Sequence, residues 1–144
     1  MGMLNKVQTV ANTKYFIKKI LPSIAWRSGV GTLEQLALPK LNLVRFKDYE
    51  RIDKCQRIII AVNSTFNGLT NKPKKPYKTI LANICLNGLS ETESAQKVGY
   101  SSSRHRELKK EALIEFATLF KANQEKEGIK PVIDLTCIQI KEKD

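Results

Sequence analysis

Hydroxyl, guanidinium and ammonium groups are concentrated at the start of one predicted helix. An arginine can bond a guanine edge bidentately, a serine can bond a base edge or a phosphate, and a lysine pairs with phosphate. The residues that share the outward face or its flanks, at about 100° per residue, are Ser102, Ser103, Arg104, Arg106, Glu107 and Lys110. Their combination predicts recognition of a nucleic acid.

Local signals predict two helices that position this face. Ser90 and Glu93 have the spacing of a capping box, which starts a helix. Gly99 can adopt the left-handed conformation that ends that helix after Val98. Ser101 or Ser102 then caps a second helix, which is predicted to run to Gln124. The turn of about three residues is typical of a helix-turn-helix.

The second helix has an apolar stripe opposite the polar face. Its members follow helical spacing, which predicts that they face the core. They are His105, Leu108, Ala112, Phe116 and Leu119. His105 is interpreted as a hydrogen-bonded core histidine in preference to a base-reading residue.

Charge is distributed unevenly along the 144 residues, whose formal net charge is +11. Residues 1–78 contain 15 Lys and Arg against 4 Asp and Glu, whereas residues 79–144 contain 10 of each. This excess predicts an anionic partner, with nucleic acid favoured over a membrane surface. Lys74, Lys75 and Lys78, just before the two helices, are predicted to contact DNA phosphates.

Several classes of protein are disfavoured by the residue types present. Three cysteines lie far apart, and with a single histidine they predict no zinc site. No catalytic constellation, phosphate-binding loop or cofactor motif is present, so we expect a protein that is not an enzyme and has no cofactor. No apolar run approaches the length of a membrane span, and no signal peptide is recognised. The expected location is the cytoplasm.

The rest of the chain is predicted to be mostly helical. Residues 1–12 are expected to form a loose lead, followed by a short helix that Asn12 caps and that stops at Pro22. Residues 33–46 are predicted to be a connector. A long helix is expected from about Lys47 to Phe66, then a stiff basic link over 71–76 and a helix over 77–87.

The segment 129–140 changes to the period of two that is typical of a strand. A lone strand leaves its backbone groups unpaired. We therefore expect it to pair with residues 40–46 or with a second copy of the chain, or to be disordered when unbound. The predicted organisation is a basic N-terminal arm or helix with a connector (1–43), a helical helix-turn-helix DNA-binding domain (44–127) and an extended C-terminal tail (128–144).

The run from Tyr77 to Phe120 resembles region four of sigma-70-type factors, through Gly88-Leu89-Ser90, Glu93-Ser94-Ala95 and Val98-Gly99-Tyr100-Ser101. With Ala112-Leu113 and Phe116-Ala117, it is similar to the ArpU-type regulators of phages and prophages over residues 44–121. The resemblance implies a sigma-region-four-like helix-turn-helix. Together with the helical and strand-like patterns of the rest of the chain, it predicts a mainly α fold: a helical bundle with that helix-turn-helix and a short C-terminal strand or extended tail. The tail and the first 40 residues lie outside the resemblance. The resemblance also implies a sequence-specific DNA-binding transcriptional regulator in a bacterial host, an activator of phage late genes for packaging and lysis.

Two alternative functions stay open. One is a small terminase-like packaging subunit working as a ring, and the other is a protein-interaction module that contacts RNA polymerase. Double-stranded DNA is the predicted partner, with host RNA polymerase and a second copy of the chain as further candidates and no membrane.

Overall fold

A computed structural model describes residues 2–46 and 48–140. For Gly2, Gln139 and Ile140 only the backbone is described. The predicted helix start at Lys47 lies outside the described residues. The chain is mainly helical, as predicted, with two small antiparallel pairs of strands. In chain order the elements are β1 (Gly2–Leu4), α1 (Lys6–Tyr15), a π-helical segment (Phe16–Ile20), α2 (Leu21–Ser28), a 3-10 helix (Leu33–Ala37), α3 (Glu50–Gly68), β2 (Asn71–Lys72), β3 (Lys75–Pro76), α4 (Tyr77–Leu81), a second π-helical segment (Ala82–Leu86), α5 (Glu91–Val98), α6 (Ser102–Lys126) and β4 (Ile138–Ile140).

The first 28 residues correct two predictions. Residues 2–12 are not a loose lead, because Asn5, and not the predicted Asn12, caps the first helix, which begins at Lys6. The helix does not stop at Pro22 either. The Leu21 N–H bonds the carbonyl of Phe16 in a wide π turn, which shifts the register of the backbone bonds. Pro22 consequently lies in the first turn of α2, where a missing N–H removes no helical bond.

Aromatic side chains join the N-terminal segment, α3 and α6 in one core. The Phe16 and Phe120 ring centroids are 5.0 Å apart, and those of Phe66 and Phe116 are 5.3 Å apart. All four rings are fully buried. The first segment therefore contributes to the same core as α3 and α6, and it packs against α6 at Phe120.

The long helix predicted before residue 66 is confirmed as α3, and the connector 33–46 is confirmed as largely irregular after its 3-10 helix. Buried amides of α3 bond the backbone of the connector and of Ser28 at the end of α2. Gln56 Nε2 donates to the carbonyls of Ser28 and Val44, at 3.1 and 2.6 Å. Asn63 Nδ2 donates to the carbonyl of Leu36 at 3.0 Å. The bonds to Ser28 and Leu36 are buried, so they satisfy backbone carbonyls that are shielded from water.

The C-terminal tail is less regular than predicted. Of the predicted strand only Ile138–Ile140 is a strand, and it pairs with β1 of the same chain, with Leu4 opposite Ile138. The predicted pairing with residues 40–46 is therefore wrong, and pairing with a second copy stays a prediction. Residues 40–46 are bound partly by Gln56, whereas α1 brings β1 beside the tail through the Asn5 N–H bond to the Cys137 carbonyl at 2.7 Å.

The basic link before α4 is a small hairpin. β2 and β3 pair with Lys72 opposite Lys75, and Pro73 and Lys74 form the tip. In the part of the chain that the structure describes, no helix is both long and apolar enough to cross a membrane.

Candidate nucleic-acid interface

The junction between α5 and α6 has the local geometry that the sequence predicts. The Glu93 N–H donates to Ser90 Oγ at 3.1 Å, and the Ser90 N–H donates to Glu93 Oε1 at 3.2 Å. Gly99 ends α5 with a φ of 80°, a conformation in which an L side chain is strained. Ser101, the first of the two predicted caps, accepts from the Arg104 N–H at 3.3 Å. These contacts fix where α6 begins.

A buried polar cluster connects three segments behind this junction. Ser94 Oγ of α5 lies 2.8 Å from His105 Nε2 of α6, and the Asn83 amide of the second π-helical segment donates to the same hydroxyl at 3.3 Å. His105 is 1% exposed, which confirms its prediction as a core residue. Burial lowers the pKa of His105, so the neutral ring is favoured at this position.

The predicted contact residues of α6 are brought together on its exposed side. All six are exposed: Ser102, Ser103, Arg104, Arg106, Glu107 and Lys110. Arg104 pairs with Glu107 at 3.0 Å, one helical turn away. Among the described residues, Arg106 and Lys110 form no ion pair, so their charges are not already neutralised by a neighbour.

The basic hairpin is fastened to the turn before α6. Tyr100 Oη donates to the carbonyl of Pro73 at 2.6 Å, so the hairpin tip lies beside the residue that precedes the α6 cap. Lys74 and Lys75 are both exposed there. Lys78 differs, because it is half-buried and donates to Asn67 Oδ1 at 3.0 Å. Two of the three predicted phosphate-contacting lysines therefore lie exposed beside α6.

Carboxylates of α6 hold the base of the hairpin. Tyr77 Oη donates to Glu111 Oε2 at 3.1 Å, and Thr70 Oγ1 donates to Glu115 Oε2 at 3.0 Å. Burial, together with the charge of Glu111, raises the pKa of Tyr77 to about 12. The hairpin is thus attached at its tip and at its base, which fixes its lysines relative to the first turns of α6.

A further ion pair connects α5 to α6. Lys109 Nζ lies 2.5 Å from Glu91 Oε1, and the Lys109 side chain is only 13% exposed. The hydrogen bond from Lys109 lowers the pKa of Glu91. Lys109 is therefore a link within the protein and not one of the outward cations.

Helix α1 flanks the outward face of α6. A groove of about 570 Å³ lies between the two helices, lined by Lys6 and Val7 on one side and by Lys110 and Ile114 on the other. Lys6 thus places a positive charge beside this face of α6, in a groove that Glu107 and Glu111 also line.

Sequence reasoning missed the contacts that join segments far apart in the chain. Tyr100, Ser94 and Asn83 have structural roles that no local pattern predicts, because each depends on a partner 11 or more positions away. The sequence did contain one signal for the buried bond. Ser94 and His105 are polar residues on the inner sides of the two predicted helices, and buried polar groups need hydrogen-bond partners.

Among the described residues, no group of three or more His, Cys, Asp and Glu side chains is placed to hold a metal ion. A comparison with protein families, curated proteins and solved structures gives no match to this chain.

Proposed function

We propose that the chain is a sequence-specific DNA-binding transcriptional regulator, in which α5 and α6 act as a helix-turn-helix and α6 reads the major groove. The observation that carries this proposal is the bond from Tyr100 to the Pro73 carbonyl, 2.6 Å long. It holds a basic hairpin beside the exposed first turns of α6. Base-reading groups and phosphate-binding groups are thereby presented together, and specific recognition of a duplex needs both.

The division of labour follows from side-chain chemistry. Arg106 is exposed and, within the described residues, unpaired, so its guanidinium is free to bond a guanine edge. Ser102 and Ser103 follow the Ser101 cap, so their backbone N–H groups lie in the first turn of α6, where helical partners are lacking. These N–H groups and the helix dipole favour a phosphate. Lys74 and Lys75 contact phosphates on the flank.

The resemblance to ArpU-type regulators supports the biological output, which is activation of phage late genes for packaging and lysis. On this proposal host RNA polymerase is the second partner, and a dimer would bind half-sites one helical turn apart. A solution mass of eight or more copies would instead favour a packaging ring.

A base-reading role for Arg106 can be tested directly. DNA fragments bound by the purified protein at moderate salt are selected genome-wide, and the best site is then used for affinity measurements. We expect Arg106→Ala to lose about 1–3 kcal/mol on that site and to relax preference at one base pair. Lys126→Ala, an exposed change at the far end of the same helix, is the matched control.

Equal binding of the best site by Arg106→Ala and the parent protein would contradict the assignment of α6 as the reading helix. Binding that depends on salt but not on sequence would also contradict it, and would favour the packaging subunit.

A surface far from this face favours a second candidate, a protein-interaction module. Trp26 is 85% exposed and lines a groove with Ile52, with Arg27, Arg51 and Lys54 around it. Trp and Arg are the residue types most often central to protein interfaces. Unaltered mobility of duplex DNA at low salt would favour this candidate over the regulator.

The groove beside Trp26 and the proposed DNA face lie near opposite ends of α6. Arg57 of α3 donates to the carbonyl of Glu127 at 3.3 Å, and Thr70, just after α3, bonds Glu115. The start of α3, where Arg51 lies, is therefore near the C-terminal end of α6. A helix of 25 residues is about 37 Å long, so Trp26 lies away from the proposed DNA face.

A further inference from the structure

A second groove, of about 460 Å³, lies between the N-terminal helices and the α4–α6 region. Its floor is apolar and includes Ile17, Ile84 and Leu113. The volume falls in the range of small-molecule sites, which is about 300–1,000 Å³. The groove is therefore large enough for a small molecule and has an apolar surface to bury.

Three lysines line the same groove, and among its described lining residues there is no carboxylate. They are Lys14 and Lys18 from the N-terminal helices and Lys109 from α6. This arrangement complements a molecule that has an apolar body and an anionic head. The body would contact the apolar floor, and the head would contact the ammonium groups.

Both π-helical segments of the chain contribute to this groove. Phe16–Ile20 supplies Ile17 and Lys18, and Ala82–Leu86 supplies Ile84 and Cys85. π turns are rare and often occur at functional sites. That two such segments, far apart in the sequence, line one groove is an observation independent of its charge.

We propose that this groove binds a small carboxylate with an apolar body, and that occupancy is transmitted to α5 and α6 through Lys109. The ammonium of Lys109 is 2.5 Å from Glu91, the first residue of α5. A bound carboxylate competes with Glu91 for that ammonium and so weakens the link between the two helices. The effect on DNA rests on the proposed function, whereas ligand binding does not.

Decanoate and decan-1-ol are suitable probes, because they share an apolar chain and differ in charge. Decanoate is titrated into the full chain below its micellar concentration and decan-1-ol below its solubility limit, by calorimetry and by amide NMR shifts. We expect decanoate to bind saturably at one site, with shifts at Ile84, Cys85 and Lys109, and decan-1-ol to bind about tenfold more weakly.

Lys18→Glu and Lys19→Glu form a matched pair. Both lysines are exposed and lie in the same π-helical segment, but Lys18 lines the groove and Lys19 does not. We expect Lys18→Glu to weaken decanoate binding by about tenfold or more, and Lys19→Glu to leave it within about twofold of the parent.

Absent binding, equal affinity for the two probes, or shifts confined to another surface would each overturn the proposal. The parent protein alone decides these outcomes, so they do not depend on the folding of a variant. Adding decanoate to a DNA titration then tests the coupling. If decanoate binds the groove but the chain binds no DNA, the proposed function fails and the ligand site stands.

Discussion

The first turns of α6 are supported from inside the fold by one set of polar contacts and from outside by another. Inside, Ser94 bonds both His105 and Asn83, and all three side chains are buried. Outside, Tyr100 bonds the Pro73 carbonyl at the surface. A buried polar group that loses its partner cannot turn to water, whereas a surface group can. The inner contacts should therefore govern stability, and the outer contact should govern the position of the hairpin.

The largest loss of stability is expected from Ser94→Ala, which removes the centre of the inner contacts. The change leaves the Asn83 amide and His105 Nε2 without their described partner, and each buried unsatisfied group costs about 1–3 kcal/mol. We expect the free energy of unfolding to fall by about 2–4 kcal/mol in urea denaturation. Ser64→Ala, at an exposed position of α3, is the control and should change stability by less than about 0.5 kcal/mol. Similar losses in the two variants would show that the inner cluster is not a determinant of stability.

Acidification tests the same cluster without removing an atom. Burial lowers the pKa of His105 in the folded state, so between that value and the ordinary value near 6.5 the unfolded chain binds the proton more readily. Stability is then fully present above about pH 6.5 and is lost as the pH falls toward the folded pKa. Urea unfolding at a series of pH values between about 7.5 and 5 measures this loss.

His105 is the one histidine in the chain, which separates its effect from those of other groups. Asp53, Glu91 and Asp134 also have lowered pKa values, but from ordinary values of 3.8 to 4.5, so their contributions are lost only at lower pH. His105→Gln should remove the pH dependence above about pH 5. A variant that kept the parent's slope there would contradict the assignment to His105.

The inner and outer contacts also differ in how far the sequence predicts them. Both ends of α5 and the start of α6 follow from Ser90, Glu93, Gly99 and Ser101, whose partners are within four positions. The exposed face of α6 follows from helical periodicity. Local signals of this kind predict these helix ends to within a residue, because the chain's own geometry brings the partners together.

The missed features depend on distant partners or on competing local rules. The proline rule predicted a stop at Pro22, but the π turn closed by Leu21 and Phe16 allows the helix to continue. The tail's pairing with β1 depends on where α1 packs, and the bond between Tyr100 and Pro73 joins residues 27 positions apart. None of these has a signature in a short window of sequence.

The smallest effect on stability, and the most informative one for function, is expected from Tyr100→Phe. The variant loses one surface hydrogen bond, so the free energy of unfolding should fall by less than about 1 kcal/mol. Without that bond the tip of the hairpin is no longer fixed beside α6. On the proposed function, Lys74 and Lys75 would then lose their alignment with the DNA phosphates. We therefore expect weaker binding to all duplexes alike, with a salt slope reduced by about 1 for each phosphate that the hairpin no longer binds.

Tyr15→Phe is the control, because Tyr15 is 62% exposed and its hydroxyl has no hydrogen-bond partner within the described residues. Binding affinity as a function of salt concentration, measured on specific and random duplexes, separates this variant from Arg106→Ala, which should lose specificity and keep most of its salt slope. If Tyr100→Phe keeps the affinity and the salt slope of the parent, the position of the hairpin lysines does not depend on this bond. The inner cluster alone then positions the first turns of α6. If affinity falls on the specific site only, the hydroxyl acts through the reading helix and not through the hairpin, because phosphate contacts are shared by all sequences.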